Sequence, residues 1–126
     1  MPYLLKTEPN KYSFDDLVRD GETTWDGISN PTALLNLRSM KPNEKLIIYH
    51  SNIGKAAVGT AKVVSVDATD PKAPKVRIQP GKPLKQVKTL DDMRAAPVFK
   101  DSILFRQFRL SVVPLTEAQY DWLTTP

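Results

Sequence analysis

The stretch "EKLIIYHS", Glu44–Ser51, sets Leu46, Ile47, Ile48 and Tyr49 in a row between a charged start and a polar end. Successive side chains on a strand point to opposite faces, so this run is apolar on both sides and reads as a central strand. Downstream, "AAVGTAKVVSVD" (Ala56–Asp67) reads as a second strong strand. Gly59 inside it marks a place where a backbone or a ligand approaches closely. Upstream, "PYLLKTE" reads as the first strand. "KVRIQ" (Lys75–Gln79) alternates, with Val76 and Ile78 inward and Lys75, Arg77 and Gln79 outward. "FRLSVVPL" (Phe108–Leu115) reads as the last strand.

Short helices fit between these strands. In "SFDDLVRDG" Ser13 is a cap, Asp15 and Asp16 suit the positive end of the helix dipole, and Gly21 follows the end. Phe14, Leu17 and Val18 share one face. "NPTALLNLRSMK" opens with Asn30 as N-cap and Pro31 at the first helical position, and Ala33, Leu34, Leu37 and Met40 form its buried stripe. "TLDDMRA" carries the pair Thr89 and Asp92, and "TEAQYDWLTT" the pair Thr116 and Gln119, at capping-box spacing. Strands joined by short connections point to an antiparallel or mixed sheet. The expected class is α+β, one domain over residues 1–126, with a curled sheet covered by helices.

The chain of 126 residues is long enough to bury a core without staples, and its 40% hydrophobic content is ordinary for a globular protein. No apolar run approaches the roughly 18 residues of a membrane span. The start, "MPYLLKTEP", has no charged segment leading into an apolar one, so no signal peptide is expected and the cytoplasm is the default location. There is no cysteine, which removes disulfides, thiolate metal sites and cysteine nucleophiles; a single histidine, His50, removes multi-histidine metal sites. The five glycines are scattered singly, so no phosphate loop is present and no cofactor is implied.

Catalysis has little to work with. His50, Ser51 and Asp26 suggest a triad, but neighbours on a strand diverge. Glu8 and Asp26 are a conceivable carboxylate pair that no spacing requires.

Recognition has more. The net charge is +4, and from Pro71 to Leu90 there are six basic residues (Lys72, Lys75, Arg77, Lys82, Lys85, Lys88) and no acid. That stretch is either a solvated, loop-rich surface or a phosphate-facing edge. If the first strand and "EKLIIYHS" are neighbours, the ends "KTE" (Lys6, Thr7, Glu8) and "YHSN" (Tyr49, His50, Ser51, Asn52) converge with the "WDG" loop at one mouth of the sheet. There Trp25 is either core or a flat wall for stacking, worth about 1–3 kcal/mol per base, with amides and hydroxyls to read a base edge. His50 is either a ligand contact or a core histidine satisfied by a backbone carbonyl.

The pieces "KTEP", "YSFDDLVRDGETTWDGISN", "LRSMK", "YHSN", "VGTAKVV" and "RLSVVPLT" stand in the order and spacing of the EVE domain family, so the chain resembles that family from Tyr3 to Leu123. The resemblance implies a PUA-like β-pseudobarrel flanked by helices, related to YTH and ASCH domains. It implies a non-catalytic reader of a modified base in DNA or RNA, with the flipped base in an aromatic pocket and the phosphates on a basic rim. On this resemblance Lys6 and Thr7 border the pocket, Trp25 stacks, Asp26 and Gly27 complete the turn, and Asn30 heads the helix. Tyr49, His50, Ser51 and Asn52 form the strand-end motif. Lys82, Lys85, Lys88, Arg106 and Arg109 are the candidate phosphate contacts. Where many members read "WDGVRNYQAR", this chain reads "WDGISNPTAL", so two arginines and a tyrosine become Ser29, Leu34 and Pro31. The lost charges favour a free-nucleoside or small-molecule binder as the alternative; a third reading is an enzyme acting on a modified base, for which the sequence offers no activated nucleophile or metal set.

Overall fold

The computed structural model describes residues Met1–Pro126. Six strands form one curled mixed sheet: β1 (Tyr3–Thr7), β2 (Thr23–Trp25), β3 (Lys45–His50), β4 (Ala56–Asp67), β5 (Lys75–Thr89) and β6 (Val112–Pro114). Their order across the sheet is β2-β5-β4-β3-β1-β6. The first and third strands are neighbours and run parallel, with Lys6 opposite Tyr49 and Thr7 opposite His50. All other pairings are antiparallel. Leu4, Leu5, Ile47 and Ile48 are buried on both faces, as the double-sided apolar pattern requires. Each such side chain contributes roughly 1.5–3 kcal/mol on leaving water.

Five helices surround the sheet: α1 (Phe14–Asp20), α2 (Pro31–Arg38), α3 (Leu90–Ala95), α4 (Ile103–Arg106) and α5 (Glu117–Thr124). Ser13 with Asp16, Thr89 with Asp92, and Thr116 with Gln119 each form a reciprocal capping box. Asn30 caps α2 by accepting the Ala33 amide at 3.0 Å. Gly21 ends α1 in the left-handed region at φ 75°, donating its amide to the Leu17 carbonyl. One apolar core runs from Tyr3 to Leu123 and takes in Ala33, Leu37 and Met40 of the second helix and its following turn.

Four expectations need correction. Val18, placed on the buried face of α1, is 50% exposed, because a seven-residue helix against a curved sheet buries only Phe14 and Leu17. The "WDG" stretch is not all loop: its Trp25 ends a short edge strand, Thr23–Trp25, paired with Val76–Ile78. "KVRIQ" is the start of a 15-residue strand that continues through Pro80, Gly81 and Pro83, and two of its three register shifts against β4 fall in the stretch from Pro80 to Lys88. "FRLSVVPL" contributes only Val112–Pro114 to the sheet; α4 and an irregular turn occupy the residues before it.

Candidate nucleic-acid interface

Trp25 ends β2 at the edge of the sheet, with Val76 as its partner across the pairing. Its ring belongs to the core and is 8% exposed, yet it lines an open cavity of about 320 Å³ together with Thr7, Tyr12, Thr23, Thr24 and Asp26. Core and wall are therefore both true of this indole. Tyr12 meets it edge to face, with centroids 6.3 Å apart and planes at 74°. The Tyr12 hydroxyl donates to Asp20 Oδ2 at 2.9 Å, and burial pushes its pKa up. Thr7 Oγ1 donates to the Tyr12 carbonyl at 2.6 Å, which pins the loop carrying this ring to β1. Thr24 Oγ1 accepts from Arg77 Nη1 at 2.8 Å, and the same guanidinium donates to Glu22. The result is a rigid slot with two aromatic rings, three threonines and one exposed carboxylate, Asp26. Its size lies at the low end of small-ligand sites.

The strand-end residues divide between two places. Side chains alternate along β1, so Thr7 faces the Trp25 cavity while Lys6 faces the other side of the strand. Lys6, Tyr49, Ser51 and Asn52 line a second cavity of about 390 Å³. Lys6 Nζ donates to the Phe108 carbonyl at 2.7 Å, and burial lowers its pKa. Burial raises the pKa of the Tyr49 hydroxyl, with Arg94 opposing. Asn52, in the left-handed region at φ 67°, donates its amide to Glu8 Oε1 at 2.7 Å. Glu8 also pairs with Lys11 at 3.0 Å. Asn30 is occupied in capping α2, and Gly27 borders a third hollow with Asp26, Leu34, Lys72 and Lys75. Two lysines of another segment thus stand beside Leu34.

His50 is satisfied by a donor, not by a carbonyl: its Nε2 accepts the Phe14 amide at 3.0 Å, and burial lowers its pKa while Asp15 opposes. Lys82 and Lys85 are exposed on β5, and Arg106 and Arg109 are exposed near β6; none lines the Trp25 cavity. Lys88 is not a free surface cation. It is 8% exposed, with Nζ 4.7 Å from the centre of the Trp122 ring. Tyr12 is the contributor that spacing alone did not reveal. Its only signal was an aromatic just ahead of the Ser13 cap.

A curled mixed sheet with short helices at its rim is the PUA-like architecture. Within that class the chain belongs to the EVE domain family, whose pattern it matches over residues 2–125. It is similar to mouse thymocyte nuclear protein 1, at 30% identity over 96% of this chain and 71% of that protein. The solved structure of Rpa0253 from Rhodopseudomonas palustris superposes with a TM-score of 0.89 at 35% identity, covering 98% of this chain and 90% of that one. Human THYN1, solved in complex with 5-methylcytosine-containing DNA, superposes with a TM-score of 0.87 at 26% identity, covering 98% and 95%. No helix of the chain is long and apolar enough to cross a membrane.

Proposed function

We propose that the chain is a binding module for a modified base in DNA, with a cytosine of the 5-methyl class as its ligand. The observation that carries this reading is the open cavity walled by Trp25 and Tyr12 with the Asp26 carboxylate at its rim. An indole face stacks on any base, for about 1–3 kcal/mol. A carboxylate accepts from the exocyclic amine of cytosine and finds no such donor on thymine. The bound 5-methylcytosine DNA of the human relative supports the same ligand class. Glu8, the second acid a paired-carboxylate mechanism needs, is held by Asn52 and Lys11 away from this cavity, so the reading is recognition and not turnover.

The test is a titration of oligonucleotides carrying cytosine, 5-methylcytosine or thymine at one position. Preference for the methylated cytosine is the expected result, with Asp26→Asn lowering affinity for cytosine and 5-methylcytosine alike, so that their advantage over thymine shrinks. Equal affinity for all three would overturn it.

A free-nucleoside binder is the second reading, favoured by the absence of any cation among the residues lining the Trp25 cavity. A nucleoside binder is indifferent to salt, whereas a reader of the polymer weakens as salt rises.

A further inference from the structure

We infer that the second cavity, on the opposite side of β1, binds the phosphate and base of a nucleotide flanking the one held by Trp25. This rests on the base-binding reading above and extends it from a single base to two adjacent nucleotides.

The chemistry of the lining points this way. Lys6, Lys55 and Arg94 contribute three cations and no acid lines the cavity, although Asp91, outside it, pairs with Arg94 at 3.7 Å. Lys6 is fixed by the Phe108 carbonyl, so its charge is preorganised. Phe105 and Phe108 supply aromatic surface; the Arg94 guanidinium lies 5.2 Å from the Phe105 ring. Phe108 is 69% exposed, an unfavourable place for a large apolar ring with nothing to stack on it, and Arg109 sits 5.7 Å from its centre. Cations interleaved with an exposed aromatic ring match the needs of a single strand, whose backbone wants charge and whose bases want flat partners.

The path between the cavities is short. Thr7 and Lys6 are neighbours, about 3.8 Å apart at their Cα atoms, and each lines one cavity. The crest between them is the joined ends of β1 and β3, closed by the Ser51 amide donating to the Thr7 carbonyl at 2.8 Å and by the Asn52–Glu8 hydrogen bond. Lys11 at 3.0 Å offsets the Glu8 charge on that crest. Beyond the second cavity, a further hollow shares Lys55 and Arg94, so the basic floor continues away from the crest until Asp91. A strand with one base against Trp25 can cross the crest and lay its neighbour against Phe108.

The experiment measures affinity of the full chain for a single-stranded oligonucleotide with one 5-methylcytosine, across a salt series. It compares the natural protein with Lys55→Gln/Arg94→Gln, Phe108→Ala and Trp25→Phe, after thermal melts have shown each to be folded. Removing the two cations that would hold this one phosphate should flatten the slope of log K against log salt by about 0.7. Phe108→Ala should weaken oligonucleotide binding about tenfold. If both variants match the natural protein while Trp25→Phe binds more weakly, this inference is overturned and the base-binding reading stands. If Trp25→Phe has no effect while the others weaken binding, the base-binding reading fails, and with it the two-nucleotide site.

Discussion

His50 holds the first turn of α1 in place: its Nε2 accepts the Phe14 amide at 3.0 Å, tying the end of β3 to the start of that helix. The bond needs a neutral ring at that nitrogen, and burial keeps the ring neutral by lowering its pKa.

The sign of the pH effect follows. The unfolded chain protonates His50 near pH 6.5, and the folded chain only at lower pH. Stability is therefore fully present above about 6.5 and is lost as pH falls through the folded pKa. The melting temperature should be level near pH 7 and drop as the pH falls below about 6.5. In His50→Gln, whose amide oxygen can accept the same proton, that drop should vanish. A separate loss at lower pH remains in both, from Asp16 and Asp92, whose pKa values the amides of their capping boxes hold down. Curves for the two proteins that superimpose through that first drop would rule His50 out as its source.

Gly59 supports the same helix from below. A methyl group at that position runs into the Phe14 ring. Gly59→Ala should cost about 1–3 kcal/mol through overpacking. Adding Phe14→Leu should recover part of that loss, because the two changes share one contact. Additive denaturation energies would show that the clash is relieved elsewhere.

Trp25 belongs to the core, so its removal has two consequences. Trp25→Ala should cost about 3–5 kcal/mol of stability and is a poor probe of binding. Trp25→Phe keeps most of the buried ring and narrows the stacking face. It should melt cooperatively and bind a modified cytosine at least several-fold more weakly. Undiminished affinity in that variant would remove the indole from the ligand site.

Lys88 separates charge from packing. Its stem is buried against Trp122. Lys88→Met should change stability by less than about 1.5 kcal/mol and leave the salt dependence of oligonucleotide binding unchanged. Lys88→Glu should destabilise the fold clearly, since it buries an acid facing a ring that attracts cations. A salt slope that shifts in Lys88→Met would return this lysine to the phosphate-contacting set.

What was legible in the sequence was local. Ser13 with Asp16, Thr89 with Asp92 and Thr116 with Gln119 announce their helices because a cap and its partner lie three residues apart. The central strand announced itself through Leu46–Tyr49, which no surface position tolerates. β2 was missed because three residues carry no period, and its pairing depends on β5, 53 residues further on at the Thr24–Arg77 contact. β5 was cut short because Pro80, Gly81 and Pro83 have the look of a loop; a strand that absorbs them by shifting register is visible only in three dimensions. For the site, the alternation that parts His50 from Ser51 also parts Lys6 from Thr7. Motif reading merged into one pocket what the pleat divides into two.

The short reach of β2 bears on solubility. It pairs with Val76–Ile78 alone, so the outer border of β5 from Gln79 onward has no strand beside it. A border without a partner strand invites a foreign chain to dock and seed aggregates wherever no helix shields it. Pro80 and Pro83 offer no amide to an intruder, and the exposed ammonium groups of Lys82 and Lys85 repel a second copy. The residues that resemble a rim for phosphates thus also keep the protein from sticking to itself, and replacing them with apolar residues would shorten its life in concentrated solution.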